Sequence, residues 1–391
     1  MNNNTLMIAA AGSGKTTLLV NKACAIKSEP VLITTYTESN EQEIRGKIIK
    51  KKGYVPSNIT IQTWFSFLLQ HGVRPYQSVL DEGIHEKDIG FYMLSTKSGK
   101  KLDQEGNPVQ VEVKGRMQTV YWGERDFTKY YFTNSLKIYS DKTSKFVIAT
   151  DTAIQNEIVS RITRIFQHVF IDEIQDLAGF DLELVKLLFK SGSAVLLVGD
   201  PRQVTYLTHH ATKYGKYAEG KIKEFVENEL GKRIKCEVDE KTLKSSHRNN
   251  KPICDYSAKL YPDLPVPVPC ECQGCRSDPS DHEGVFLIKP AQVDQYLEDY
   301  KPVQLRWDAK KKCNGNYPVR NMGESKGATM ERVLIYPTKP MISWIRDNKV
   351  DLKNPSRAKF YVAITRARRS SAIVMDYQDD EEFDGLVNYR N

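Results

Sequence analysis

The chain has 391 residues, enough for two or three domains with sizeable cores. Its 57 Lys and Arg against 49 Asp and Glu leave a net charge of +8, which suits a polyanionic partner and a solvated surface equally well. Seven cysteines with no N-terminal apolar signal stretch predict a reducing, cytoplasmic setting without disulfides, and no apolar run approaches the ~18 residues that cross a bilayer.

The first predicted element is an apolar strand over 6–8. It runs directly into Ala9-Ala10-Ala11-Gly12-Ser13-Gly14-Lys15-Thr16-Thr17, and a helix begins through Leu18-Leu19-Val20. Strand, glycine loop and helix in that order make a phosphate-binding loop. Gly12 and Gly14 let backbone N–H groups turn inward around phosphate oxygens, and the helix N-terminus adds its positive end. Lys15 reaches the terminal phosphates, and the Thr16 hydroxyl can ligate magnesium. A nucleoside triphosphate is therefore expected against Gly12, Ser13, Gly14, Lys15, Thr16 and Thr17, although Ala9 stands where the general pattern has Gly.

Further buried strands are predicted over 31–34 and 59–61. The basic run Lys47, Lys50, Lys51 and Lys52 reads as a solvated helix face. Between Leu69 and Thr163 lies a stretch rich in Lys and aromatics, including Lys97, Lys101, Tyr121, Trp122, Lys129 and Tyr130, with strand-like alternation over 109–113. Interleaved cations and rings suit single-stranded nucleic acid, whose phosphates attract the cations and whose bases stack on the rings. The same pattern suits a basic β-rich surface with aromatics in its own core.

Hydrolysis needs a metal-binding carboxylate and a base. The apolar strand His168-Val169-Phe170-Ile171 ends in Asp172-Glu173-Ile174-Gln175-Asp176, where Asp172 can hold magnesium and Glu173 can polarise the attacking water. An amphipathic helix through Phe180, Leu184, Val185 and Leu188 follows, and the strand over 195–198 ends in Gly199-Asp200-Pro201-Arg202-Gln203. Strands over 285–288, 333–336 and 372–375 complete a prediction of two α/β sheets.

The order of these segments resembles the superfamily 1 helicases of the UvrD/Rep type. The resemblance rests on the phosphate loop, Asp172-Glu173-Ile174-Gln175-Asp176, Gly199-Asp200-Pro201-Arg202-Gln203 and Tyr361-Val362-Ala363-Ile364-Thr365-Arg366-Ala367-Arg368. Weaker matches are Thr34-Thr35-Tyr36-Thr37, Gln62-Thr63-Trp64-Phe65, Ser246-His247-Arg248 and Glu324-Ser325-Lys326-Gly327. It implies an α/β fold with two RecA-like domains in tandem and ATP at their interface. These are 1A over residues 1–240, with a 1B-like insertion at about 75–160, and 2A over 241–391, with a Cys-containing insertion at about 262–320. Arg248 and Lys326 stand only 78 residues apart, too close to hold a large 2B subdomain.

The same resemblance assigns roles. Arg248 and Arg366 become the charge sensors drawn toward Lys15, Thr16, Asp172 and Glu173 as the cleft closes. Gln203 senses the terminal phosphate, Gln175 couples the site to the DNA track, and His247 stacks on the base. Lys326, Gly327 and Thr329 lie along the nucleotide, with Thr329 where the family has a ribose-binding Glu. Thr35, Tyr36, Thr63, Trp64 and Tyr206 face DNA, while Thr208 replaces a stacking aromatic. The family's adenine-reading glutamine segment is not found ahead of Ala9.

Outside the pattern stands Cys270-Glu271-Cys272-Gln273-Gly274-Cys275. With His282 or Cys313 as fourth ligand these thiols could chelate zinc, but the spacing departs from paired C-x-x-C, and reduced thiols in a Pro-rich loop are the simpler reading. Cys24, Cys236 and Cys254 read as buried small residues. The acidic stretch over 379–384 reads as a flexible end or a docking strip.

Three functions compete. The first is an ATP- and magnesium-dependent single-stranded DNA translocase or helicase, with three-prime to five-prime polarity implied by the resemblance. The second is a DNA-stimulated ATPase or sensor subunit serving a nuclease partner in an antiphage or repair complex, since the chain also resembles the helicase-like subunit of Gabija-type systems. The third is a regulatory ATPase that never touches DNA.

Overall fold

The computed structural model describes residues 4–94, 96–205, 208, 213–231, 234–276 and 281–390. Two six-stranded sheets carry the α/β fold. The first runs in the order Cys236–Asp239, Asn4–Ile8, Ala194–Gly199, His168–Asp172, Val31–Thr35, Ile59–Thr63. Val31–Thr35 pairs in parallel with both neighbours, setting Ile33 opposite Ile61 and Phe170. Parallel strands covered on both faces need near-continuous apolar runs, and Val31, Leu32, Ile33 and Val169 are fully buried. The five strands expected here all form. Cys236–Asp239 was not foreseen, because an edge strand of sequence CEVD carries no apolar run.

Contacts divide the chain into two units. One comprises residues 1–5, 20–197 and 207–237, and the other comprises 6–19, 198–206 and 238–391. In the first, helix Glu38–Lys52 starts on the Thr37 hydroxyl, which accepts from the Asn40 N–H at 3.2 Å, and stops at Gly53 with φ of 86°. Lys50, Lys51 and Lys52 fill its last turn and are exposed, as a solvated face should be. The Lys-rich stretch contains an antiparallel hairpin, Gln110–Val113 with Arg116–Thr119, whose residues are exposed on both faces apart from the half-buried Thr119.

In the second unit the sheet order is Val319–Asn321, Val303–Arg306, Met330–Ile335, Ala367–Val374, Gly284–Ile288, Val387–Asn388, and its pairs are parallel. Alternation sorts the side chains between two cores. Val285, Leu287, Val333, Ile335 and Ile373 join Ile253, Trp344 and Phe360 on one face. Ile288, Leu334 and Ala372 join Tyr296 and Leu297 on the other. Among the described residues no helix is long and apolar enough to cross a membrane. Cys24 and Cys254 are buried as expected, but Cys236 is only half-buried because it opens the edge strand.

Candidate nucleotide site

The loop after strand Asn4–Ile8 is fixed by the backbone bonds it makes. Ala9 donates to the Gly199 carbonyl at 2.8 Å and Ala10 to Leu243 at 2.9 Å, so both alanines are buried. Gly12 and Gly14 take φ of 72° and 82°, a conformation that a side chain disfavours. At Gly12 there is a second reason. A Cβ there would lie 2.6 Å from the Arg248 Cβ and 2.9 Å from the Ser246 Oγ. The Gly12 carbonyl accepts from the His247 N–H at 2.9 Å. The Ser13 hydroxyl is buried without a hydrogen-bond partner, and helix Lys15–Ala25 begins immediately after the loop. Positive-φ glycines, a buried hydroxyl left over and a helix start with Lys15 in its first turn fit a phosphate group.

Gln203 and Arg366 are brought together. Arg366 is 1% exposed, and its Nη2 donates to the Gln203 Oε1 at 3.1 Å. Its Nε and Nη1 donate to the carbonyls of Val362 and Ala328 at 3.1 and 3.3 Å, so two backbone carbonyls and the Gln203 amide fix the guanidinium. Gln203 passes its own Nε2 hydrogen to Asp200 at 2.8 Å. Asp200 is fully buried and forms an ion pair with Arg202 at 3.1 Å. Burial alone would lower the Arg202 pKa, but the neighbouring Tyr361 and Asp200 more than offset it and hold it above the ordinary arginine value. Burial pushes the Tyr361 phenol up, with Asp200 adding to the effect, so its proton is retained.

Arg248 reaches across the same unit. Its Nε donates to the Thr329 hydroxyl at 2.9 Å and its Nη1 to the Thr365 carbonyl at 3.2 Å. Thr329 therefore holds Arg248 in this conformation. Lys326 is half-buried beside Gly327, which turns at φ of 86°.

In the other unit, Asp172 closes the strand His168–Asp172 and accepts the Glu173 N–H at 2.9 Å. Glu173 adopts φ of 55° and ψ of 40°, left-handed for a residue with a side chain, which costs on the order of 1–3 kcal/mol and persists where surroundings enforce it. The Gln175 amide donates to the Glu173 carboxylate. Asp172, Glu173, Gln175 and Asp176 are all buried. Composition gave no warning of the strained backbone, since nothing in Asp-Glu names φ.

The AAA domain family matches residues 1–209, more than half of the chain. This chain belongs to that family. Motifs and relatives place this AAA-domain protein in the superfamily 1, UvrD/Rep-like branch. It is 24% identical over 245 residues to a probable DNA helicase of Mycoplasma pneumoniae, covering 52% of this chain and 45% of that protein. It is 24% identical over 243 residues to the ATP-dependent DNA helicase Rep of Buchnera aphidicola, covering 53% and 36%. The chain thus spans less than half the length of these curated relatives. Among solved structures, an arterivirus nonstructural protein 10 helicase with DNA aligns with 97% of this chain and 62% of its own, at 13% identity and a TM-score of 0.43.

The DNA-facing candidates of this AAA-domain protein fare unequally. Trp64 is 1% exposed, its indole N–H is bonded to Asp181 at 2.7 Å and its ring packs on Phe67. That corrects the expectation of a base-stacking residue, because neither face of the ring is available. The Thr63 hydroxyl caps helix Trp64–Leu68 by accepting from the Ser66 N–H at 3.1 Å. Thr35 is buried, whereas Tyr36 is partly open and packs edge-on against Phe65. Tyr206 lies outside the described residues. In the Lys-rich stretch, the ammonium groups of Lys101 and Lys129 sit 4.3 and 4.2 Å from the Trp122 ring, and Lys97 sits 4.1 Å from Tyr121. Trp122 and Tyr121 are half-buried and the surrounding segment is exposed, so these rings belong to a cationic surface.

The proposed fourth zinc ligands are also corrected. His282 is 8% exposed, stacked between Phe286 and Tyr300 at 3.8 and 4.0 Å, with Nε2 bonded to the Tyr296 hydroxyl at 2.8 Å. Cys313 packs beside the core that contains Tyr296. Neither lies with the thiols of Cys270, Cys272 and Cys275, which gather with His247.

Proposed function

We propose that this protein is an ATP-driven translocase on single-stranded DNA, moving three-prime to five-prime. One observation carries the reading: a buried guanidinium, Arg366, is joined through Gln203 to Asp200 in the same unit as the phosphate loop. A buried guanidinium held in one orientation by three acceptors is preorganised to meet negative charge placed beside it, as a transferring phosphoryl group would place it.

Lys15 and the backbone around Gly12 and Gly14 would hold phosphates, Thr16 and Asp172 a magnesium ion, and Lys326, Gly327 and Thr329 the rest of the nucleotide. When bound, ATP supplies the phosphoanhydride that drives the motor, and magnesium neutralises phosphate charge. Glu173 accepts a proton from water at its carboxylate, which Gln175 orients. Arg366 is tied to Gln203 and to the helix Ser356–Ile364, and Arg248 to Thr329 and Thr365, so charge arriving at either guanidinium pulls on those groups. Tyr36, the partly open member of the Thr35, Tyr36 and Thr63 set, lies on the path of the strand, with Trp122 and its lysines as a second contact.

A subunit role beside a nuclease is the second reading. It is favoured by the stretch 249–325, where the described α-helices are the short Lys251–Ala258, Gln273–Arg276 and Val293–Tyr300, leaving no 2B-sized helical subdomain to assist unwinding.

The test is ATPase turnover with and without single-stranded DNA for wild type, Lys15→Ala and Arg366→Ala. The expectation is DNA-stimulated turnover, lost in Lys15→Ala and lowered roughly 10²–10³-fold in Arg366→Ala. Wild-type turnover indifferent to DNA would replace the motor with a regulatory ATPase. Stimulation without unwinding, together with co-purification of a nuclease, would favour the subunit reading.

A further inference from the structure

The thiols left over by the nucleotide site stand in a definite arrangement. Strand Ser245–Ser246 pairs in parallel with Val268–Pro269, setting Ser246 opposite Pro269. The next residue on each strand is then His247 and Cys270, and the Cys270 N–H donates to the Ser246 carbonyl at 2.8 Å. Beyond Cys270 the chain turns back through Cys272-Gln273-Gly274-Cys275, closed by the Cys275 N–H on the Cys272 carbonyl at 3.0 Å. The register thus brings His247 to three cysteines more than twenty residues further along the chain: its Nδ1 or Nε2 and the three Sγ atoms all lie within 4.8 Å of one another.

The distances have the scale of a coordination shell. With metal–sulfur bonds of about 2.3 Å, a tetrahedral site has edges of about 3.8 Å. Here the Cys272 and Cys275 Sγ atoms are 3.3 Å apart and the Cys275 Sγ lies 3.5 Å from the His247 Nδ1. A disulfide would need about 2.05 Å, so the cysteines are thiols. We propose that Cys270, Cys272, Cys275 and His247 form a tetrahedral site for a thiophilic divalent cation of the zinc class.

The site has a mechanical task. The Pro-rich segment 262–269 buries few side chains of its own and is fastened at one end by Arg202, whose Nη2 donates to the Pro265 carbonyl at 2.6 Å. Beyond that bond, among the described residues, come the two-residue strand pair and the thiol turn. A metal there would clamp the segment to His247, whose N–H already holds the Gly12 carbonyl of the phosphate loop. Short elements without a core of their own are the setting in which structural zinc contributes folding free energy.

Cobalt(II) substitution tests this without recourse to activity. Chain stripped of metal under reducing conditions and titrated with cobalt(II) should develop intense visible bands of tetrahedral geometry with thiolate charge transfer, saturating at about one cobalt per chain, and zinc should bleach them. His247 and Cys272 are exposed, so His247→Gln and Cys272→Ser should keep the wild-type circular dichroism. Cys272→Ser should lose part of the charge-transfer band, His247→Gln should change the visible bands alone, and both should bind cobalt roughly tenfold or more weakly. A weak octahedral spectrum in the wild type overturns the site. So does a wild-type spectrum in His247→Gln, which would assign the fourth ligand elsewhere.

Discussion

Two glycines with nearly the same backbone separate two kinds of constraint. Gly12 and Gly53 have φ of 72° and 86°, but a Cβ on Gly53 meets nothing within 4 Å whereas one on Gly12 meets the Arg248 Cβ at 2.6 Å. Gly53→Ala should cost only the left-handed strain, about 1 kcal/mol. Gly12→Ala adds a collision between two chain segments and should cost a further ~1–3 kcal/mol, read as the difference in urea midpoints at equal slope. Equal costs would mean that the approach of Arg248 to the loop does not persist in solution. The phosphate loop was legible from sequence because phosphate binding demands fixed residue types at consecutive positions. The reason for Gly12 in particular was not, since its partner lies more than two hundred residues away.

At the scale of elements, strand Gly284–Ile288 and helix Val293–Tyr300 grip His282 between the Phe286 and Tyr300 rings. Burial, helped by Arg332, lowers its pKa to about 4 from an ordinary 6.5. The unfolded chain therefore takes up this proton first as pH falls, so the stability that the neutral ring supports is complete above about pH 6.5 and is lost progressively toward pH 4. Between pH 7.5 and 5 the loss attributable to this ring is about 2 kcal/mol. His282→Phe should shrink the acid-side fall in unfolding free energy by that amount, and an unchanged slope would rule the ring out as its source. The strands themselves were readable because each central one is an apolar run. The part played by His282 was not, because a histidine beside a cysteine loop looks the same whether it ligates or stacks. Only the register of Ser246 against Pro269 shows that His247 is the imidazole beside the thiols.

For the molecule as a whole, +8 of net charge has a local expression in Trp122 with Lys101 and Lys129 over its ring. If this surface grips a strand, Trp122→Ala should weaken binding of a labelled oligothymidylate by about 5- to 100-fold, the worth of one stacked base, as read by fluorescence anisotropy. Unchanged affinity would return the cluster to a purely structural role. Sequence could not choose between those readings, since the same alternation of Lys and rings builds either surface.

The way contacts partition the polypeptide also limits how it can be taken apart. Residues 6–19 and 198–206 group with 238–391, so a truncation near residue 240 would cut through one of these units. A fragment ending there would keep the glycine loop but strip Ala11 of the apolar neighbours it shares with Ile253 and Tyr361, and would leave the Ala10 amide without the Leu243 carbonyl. Such a piece is expected to be protease-sensitive and blind to nucleotide. Mixing it with the complementary C-terminal fragment, instead of studying either alone, is the route to recovering a native-like particle.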